Sequence, residues 1–181
     1  MVSNTKQQFE EVIKICRDLF IKKLQDYGPS WRIMRPESIT DQIFIKARRI
    51  RTLEEVGEAQ VNEGIFPEFI GIVNYGIIGL IQLELGNTIE QDITTDKAIE
   101  LYDKHIERTK QLMYAKNHDY GEAWRLMRVN SYTDLILSKL MRTKQIENNK
   151  GKTIVSEGID ANYMDMINYS QFGLIKLHYG E

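Results

Sequence analysis

The strongest constraint on this chain is that it contains itself twice. Asp26-Tyr27-Gly28 recurs as Asp119-Tyr120-Gly121, and Trp31-Arg32-Ile33-Met34-Arg35 recurs as Trp124-Arg125-Leu126-Met127-Arg128, both at an offset of 93 residues. The same offset pairs Lys23 with Lys116, Ser38 with Ser131, Asp41 with Asp134, Lys46 with Lys139 and Arg49 with Arg142. After one inserted residue an offset of 94 joins Glu63-Gly64-Ile65 to Glu157-Gly158-Ile159, Asn74-Tyr75 to Asn168-Tyr169 and Gly86 to Gly180. Identical polar residues in the same order over nearly the whole length mark a duplicated structural unit. The two copies are residues 1–90 and 91–181, packed as one globular unit.

Each copy reads as three helices. The first, over residues 4–24 and 96–116, places Phe9, Ile13, Cys16 and Phe20, or Tyr102, Ile106, Thr109 and Met113, at helical spacing. Gly28 and Gly121 of the repeated Asp-Tyr-Gly suit a left-handed helix stop. A short loop then carries the Trp-Arg-x-Met-Arg segment. The second helix is expected to start near Ser38 or Ser131, each followed three residues later by an aspartate in the manner of a capping box. The third covers residues 67–85 and 160–179, with Pro67 in a first turn and Gly86 and Gly180 as stops. No segment alternates with period two long enough to be a strand. The expected architecture is all-α, two tandem three-helix repeats forming a bundle about a pseudo-two-fold axis.

Composition narrows the function classes. Twenty-four Lys+Arg against 26 Asp+Glu give a net charge of -2, which makes nucleic acid an unlikely partner. A lone Cys16 excludes an intramolecular disulfide and a CxxC zinc site. The longest apolar run, around Ile77 to Leu83, is interrupted by Gln82, and the N-terminus lacks the apolar centre of a signal peptide. A cytoplasmic protein with no membrane partner is expected, with a homodimer open. His105, His118 and His178 share no metal-ligand spacing, and Walker, Rossmann and Ser/His/Asp hydrolase signatures are absent.

Two constellations carry chemistry. Glu157, Asp160, Asp165 and Asn168 fall on one side of a continuous helix, and oxygen ligands in such a row suit Mg²⁺ or Mn²⁺. Asp160 equally suits an N-cap, and Asn168 a buried hydrogen bond between helices. Repeat one has Gly71 in place of Asp165 and Phe66 in place of Asp160, but carries Glu54-Glu55-Val56-Gly57-Glu58. Glu55 and Glu58 share a face if helical, as metal ligands or as a solvated acidic surface. The second constellation is basic and aromatic. Arg32 and Arg35, like Arg125 and Arg128, are spaced to turn toward one side, beside Trp31 and Trp124. Lys46 and Arg49, like Lys139 and Arg142, add cations on the second helix. Guanidinium groups grip phosphate and an indole stacks on a base. The structural alternative has Asp26 and Asp119 pairing with those arginines and both tryptophans buried at the interface between repeats.

The twice-repeated K-x-x-D-Y-G-x-x-W, the K-x-x-R of the next helix and the later N-Y resemble the nucleotide-modification-associated domain 1 family. The residues are Lys23, Asp26, Tyr27, Gly28, Trp31, Lys46, Arg49, Asn74 and Tyr75, then Lys116, Asp119, Tyr120, Gly121, Trp124, Lys139, Arg142, Asp165, Asn168 and Tyr169. That resemblance implies an association with nucleotide modification. More distantly, Glu54-Glu55-x-x-Glu58 followed by an acidic helix is similar to the MazG-like all-α nucleoside triphosphate pyrophosphohydrolases, in which EExxE and a later ExxD bind Mg²⁺. Here the ExxD counterpart is Glu68-x-x-Gly71, and Asp165 is followed by Asn168.

The expectation is a protein that binds a nucleotide or another phosphorylated small molecule with Mg²⁺ or Mn²⁺, and hydrolyses its phosphate chain if it is an enzyme. Glu55, Glu58 and Asp165 are the candidate catalytic residues, with Glu157 and Asp160 joining them as metal ligands. Substrate contacts are expected from Lys116, Asp119, Tyr120, Trp124, Arg125, Arg128, Lys139, Arg142, Asn168 and Tyr169, and in repeat one from Lys23, Asp26, Arg32, Arg35, Lys46, Arg49 and Asn74. The alternative is a non-catalytic scaffold whose doubled motif is structural.

Overall fold

The computed structural model describes residues 4–57 and 64–181, and within them it is helical without a strand. The helices are α1 (Thr5–Tyr27), α2 (Pro36–Val56), α3 (Ile65–Leu85), α4 (Thr95–Tyr120), α5 (Val129–Asn148) and α6 (Ile159–Tyr179). A single 3-10 turn, Ser30–Ile33 or Ala123–Leu126, joins the first two helices of each repeat. The chain is thus two tandem three-helix repeats, and the duplicated sequence has become duplicated structure.

The six helices lie in three layers of two. α3 and α6 pack on each other in the middle; α2 and α5 cover one side and touch each other, and α1 and α4 do the same on the other. A helix covered on both sides must be apolar nearly all round. α3 accordingly buries Phe69, Ile70, Ile72, Val73, Ile77, Ile78, Leu80 and Ile81. By length and composition α3 could cross a membrane, the one such helix among the described residues, and here it is a core helix. The middle pair comes close because glycines meet aromatics reciprocally. A Cβ on Gly79 would stand 3.0 Å from the Tyr163 ring, and one on its repeat mate Gly173 would stand 3.1 Å from the Phe69 ring.

Gly28 and Gly121 end α1 and α4 at positive φ of 67° and 58°, and Gly86 and Gly180 end α3 and α6 likewise. The starts of α2 and α5 differ from the capping-box expectation. Arg35 and Arg128 occupy the N-cap positions without a side-chain cap, and Ser38 and Ser131 lie inside the first turn. Pro36 at the first helical position pre-sets φ and needs no hydrogen-bond acceptor, which moves the start of α2 upstream of Ser38.

The covering layers carry one inverted pair. Glu84 of α3 binds Lys104 of α4, whereas at the equivalent positions the acid is Glu11 of α1 and its partner on α6 is His178. Across the α2–α5 contact the glutamates Glu54 and Glu147 are equivalent. Glu147 accepts a hydrogen bond from Thr40 at 3.0 Å, and Glu54 sits against Thr133. Burial raises both carboxyls above the ordinary range.

Candidate functional site

The end of α4, the 3-10 turn of repeat two, α5 and α6 enclose a cavity of about 240 Å³. Its walls are aromatic or apolar: Tyr120, Trp124, Tyr169 and Phe172, with Met113, Met127 and Leu135. Its polar groups are Lys116, Asn117, Asp165 and Asn168. Trp124 is buried, stacked on Phe172 with ring centroids 4.6 Å apart and planes at 12°, and the Arg125 guanidinium lies 4.4 Å from its ring. The turn that presents Trp124 is held from below. Lys176 of α6 donates to the carbonyls of Arg125 and Met127, and the Tyr132 hydroxyl donates to that of Trp124. In repeat one Gln82, the mate of Lys176, donates to the carbonyls of Trp31, Arg32 and Met34. The Trp-Arg-x-Met-Arg segment is therefore a braced platform in both copies.

At one edge of the cavity Asp165 joins two ammonium groups. Its Oδ1 accepts from Lys116 at 2.7 Å and its Oδ2 lies 2.8 Å from Lys139. The Asp165 side chain is 7% exposed, that of Lys139 15% and that of Lys116 45%. Burial by itself lowers the Lys116 pKa, but the hydrogen bond and charge of Asp165, with Glu157 beyond, leave it above the ordinary value. Burial, then the Asp165 charge, raises the Tyr169 phenol. On the far side of Lys139 an open groove of about 910 Å³ runs between α5 and the loop before α6, lined by Arg142, Gln145, Lys152, Glu157 and Asn162 among others. Lys139 borders the groove and touches the Asp165 that lines the cavity, so the two spaces share one cationic wall.

Repeat one holds the equivalent cleft, about 550 Å³, lined by Lys23, Tyr27, Trp31, Lys46, Asn74 and Tyr75 among others. Its chemistry is satisfied from within. Gly71 replaces Asp165, and a Cβ there would stand 2.7 Å from Lys46 Cδ and Cε, so the lysine lies across the vacated space. Glu68, one turn earlier, takes the charge role, 3.6 Å from Lys46 and 2.9 Å from Arg49. Asn74 donates to the Cys16 carbonyl at 3.0 Å and accepts from the Tyr102 hydroxyl at 2.8 Å. Asn168 keeps the first bond, to the Thr109 carbonyl at 3.2 Å, but its Oδ1 is buried without a partner. The reason is in the sequence: the position equivalent to Tyr102 is Phe9, which has no hydroxyl.

The structure thus gathers Lys116, Tyr120, Trp124, Asn168 and Tyr169 around one cavity, with Asp165 and Lys139 at its edge and Arg142 in the groove beyond. Lys23, Lys46 and Asn74 gather likewise at the repeat-one cleft, with Arg49 beside Lys46 on Glu68, and the remaining residues are dispersed. Arg32 is 1% exposed and bound to Asp92, Gln82 and the Gly86 carbonyl, so it ties the turn to the start of the inter-repeat linker rather than facing a ligand. Arg125 is committed to Glu181, Gln8 and Thr5. Arg35 and Arg128 are exposed at helix starts, away from the paths of Arg32 and Arg125. Asp26 and Asp119 are exposed; Asp119 pairs with His118 and not with an arginine. Both tryptophans are buried, as the structural alternative had them, Trp31 packed on Phe20 and Trp124 on Phe172, each ring partner in turn touching an aromatic of the other copy.

The acidic row does not converge. Asp160 pairs with Arg108 at 3.0 Å, Asp165 with the two lysines, Glu157 precedes α6, and Glu55 is exposed beside Arg51. Glu58 lies outside the described residues. Among the described residues no three His, Cys, Asp or Glu side chains come together for a metal ion, and an Asp165 already holding two ammonium groups does not fit a cation ligand. Sequence reasoning missed Asn117 and Phe172, which line the cavity but differ from their mates Leu24 and Ile78.

Comparison with known proteins agrees with the duplication. Residues 23–83 and 116–177 match one family, described as nucleotide modification associated domain 1. No curated protein and no solved structure matches the chain. The two matched segments open on Lys23 and Lys116, the first residues of the doubled motif, and together they cover more than half of the sequence. The chain belongs to the nucleotide modification associated domain 1 family and carries that domain twice in tandem.

Proposed function

We propose that the protein binds a nucleotide in the repeat-two cavity. The observation that carries this reading is a small cavity with aromatic walls and Lys116 in its lining, whose Asp165 also holds Lys139 just beyond its edge. Such sites are concave, mostly apolar, and oriented by a few convergent polar groups. The base lies among Tyr120, Trp124 and Tyr169, and the phosphate meets Lys116 and Lys139, with Arg142 continuing the cationic wall into the groove. Mg²⁺ or Mn²⁺ enters this reading with the phosphates, since such ions keep several waters and take substrate oxygens. Asp165 acts here as the counter-charge that holds both lysines in place.

The test is a thermal-shift screen of nucleoside monophosphates and triphosphates, each with and without Mn²⁺. A ligand at a hundred times its dissociation constant adds about 2.7 kcal/mol, on the order of 5–10 °C for a chain this size. A shift that is lost in Lys116→Ala/Lys139→Ala supports the site. No shift with any nucleotide at millimolar concentration overturns the reading and leaves the braced turn with a purely structural role.

A further inference from the structure

We infer that the ligand of repeat two is a nucleoside di- or triphosphate whose outer phosphates are held by Arg142; this rests on the nucleotide reading and deepens it. The inference comes from one difference between the copies. Arg49 and Arg142 are equivalent, each three residues after the equivalent lysines Lys46 and Lys139. In repeat one a single carboxylate serves both cations, Glu68 lying 3.6 Å from Lys46 and 2.9 Å from Arg49. In repeat two Asn162 stands at the position of Glu68, and the carboxylate is found three residues later, at Asp165, where repeat one has Gly71. From there it binds Lys139 and Lys116. Arg142 has lost its acid: among the described residues no carboxylate pairs with it. Asn162 is buried and commits its amide to the Gly158 carbonyl at 2.8 Å, so it brings the guanidinium no charge.

The unpaired guanidinium lines the open groove, whose wall carries Lys139, Arg142 and Lys152 against the single carboxylate of Glu157. A guanidinium presents its N–H donors in a rigid fork that matches phosphate oxygens. Lys139 and Arg142 are neighbours on one face of α5, about 5–6 Å apart at Cβ. A phosphate held at Lys139 therefore has the next members of its chain within reach of Arg142, and Lys152 lines the same groove from the loop before α6. A monophosphate ends at the lysine pair and leaves the groove unused. Repeat one offers no such extension, because Glu68 already occupies Arg49.

Isothermal titration of the intact chain with AMP, GMP, CMP and UMP and the four matching triphosphates, at one fixed Mn²⁺ concentration, tests the inference. For the base that binds, the triphosphate should bind about tenfold tighter than the monophosphate, the effect of one added hydrogen-bonded contact between charged groups. Arg142→Gln, at an exposed position, should bring that ratio close to one. Asn162→Glu restores the carboxylate of repeat one and should do the same with the arginine still present. Lys150→Gln removes an exposed charge outside the groove and should leave the ratio intact, which separates a contact from general attraction of a polyanion. Equal affinity for mono- and triphosphates, a ratio that survives Arg142→Gln, or one that falls as far in Lys150→Gln would overturn the role of Arg142 while nucleotide binding stands. Absence of binding by all eight would overturn both.

Discussion

Replacing Asp165 with asparagine should move stability and anion affinity in opposite directions. Asp165→Asn keeps the shape of the side chain but removes the charge between Lys116 and Lys139, and the new amide can accept from only one of them. Breaking a buried ion pair by removing one partner costs about 3–5 kcal/mol. Lys116 is 45% exposed and will be rehydrated, so its share is that of a surface pair, below about 1 kcal/mol. Lys139, at 15%, keeps some water and feels most of the loss. A net loss of roughly 2–3 kcal/mol follows, which for a chain of this length lowers Tm by roughly 4–12 °C. The same change frees cationic charge at the cavity edge, so inorganic phosphate should bind about tenfold tighter at low salt, a difference of about 1.4 kcal/mol, with the gain fading as salt screens it. Thermal denaturation and phosphate titration at two ionic strengths measure both. An unchanged Tm together with abolished nucleotide binding would refute the counter-charge reasoning and make Asp165 a direct ligand.

Three further outcomes are expected. Tyr102→Phe removes the hydroxyl that pairs Asn74 and should cost about 1–3 kcal/mol by urea denaturation, leaving repeat one with the same orphaned amide as repeat two; no change in midpoint would mean that the bond contributes nothing net. Gly76→Ala places a Cβ 2.5 Å from Ile167 Cγ1 in the middle layer, and overpacking of about 1–3 kcal/mol should outweigh the helix-propensity gain of about 1 kcal/mol. Ile167→Ala in the same chain should relieve that crowding, and failure to do so would place the strain elsewhere. Glu147→Gln tests pH linkage. Burial raises the Glu147 pKa, so the folded state binds more protons than the unfolded one, and the charged carboxylate costs stability increasingly as pH rises from about 4.5 through the raised value. The variant should match the wild type at acidic pH and exceed it near neutrality; a difference independent of pH would contradict this sign.

The repeat pointed to the residues of the candidate cavity before any coordinates. Aligning the two copies picked out Lys116, Tyr120, Trp124, Asn168 and Tyr169, which line one cavity, and Lys139, which reaches its edge through Asp165, because residues shared by both copies occupy equivalent places around it. What alignment hid were the positions where the copies differ. Asn117 against Leu24, and Phe9 against Tyr102, decide which amides remain unpaired, and neither difference belongs to a shared motif. The arginines misled for another reason. Spacing gives Arg32 and Arg125 the same direction on their turns, but their partners, Asp92 and Glu181, lie outside the motif and already occupy both guanidiniums. The acidic row on α6 failed because a helical angle says which residues share a side, not what faces them. Arg108 meets Asp160, and Lys116 and Lys139 meet Asp165.

The central position of α3 has a consequence during synthesis. Its apolar surface is covered by α6, which ends at Tyr179, almost at the close of the chain. At about 5–20 residues per second, a ribosome that has released α3 needs roughly 5–20 s more to deliver its cover. Throughout that interval the side of α3 that faces α6 lacks its cover, on a 21-residue helix that meets the length and composition of a membrane span. The first copy therefore reaches its full burial only when the second arrives, because the face of α3 that α6 covers has no substitute within repeat one.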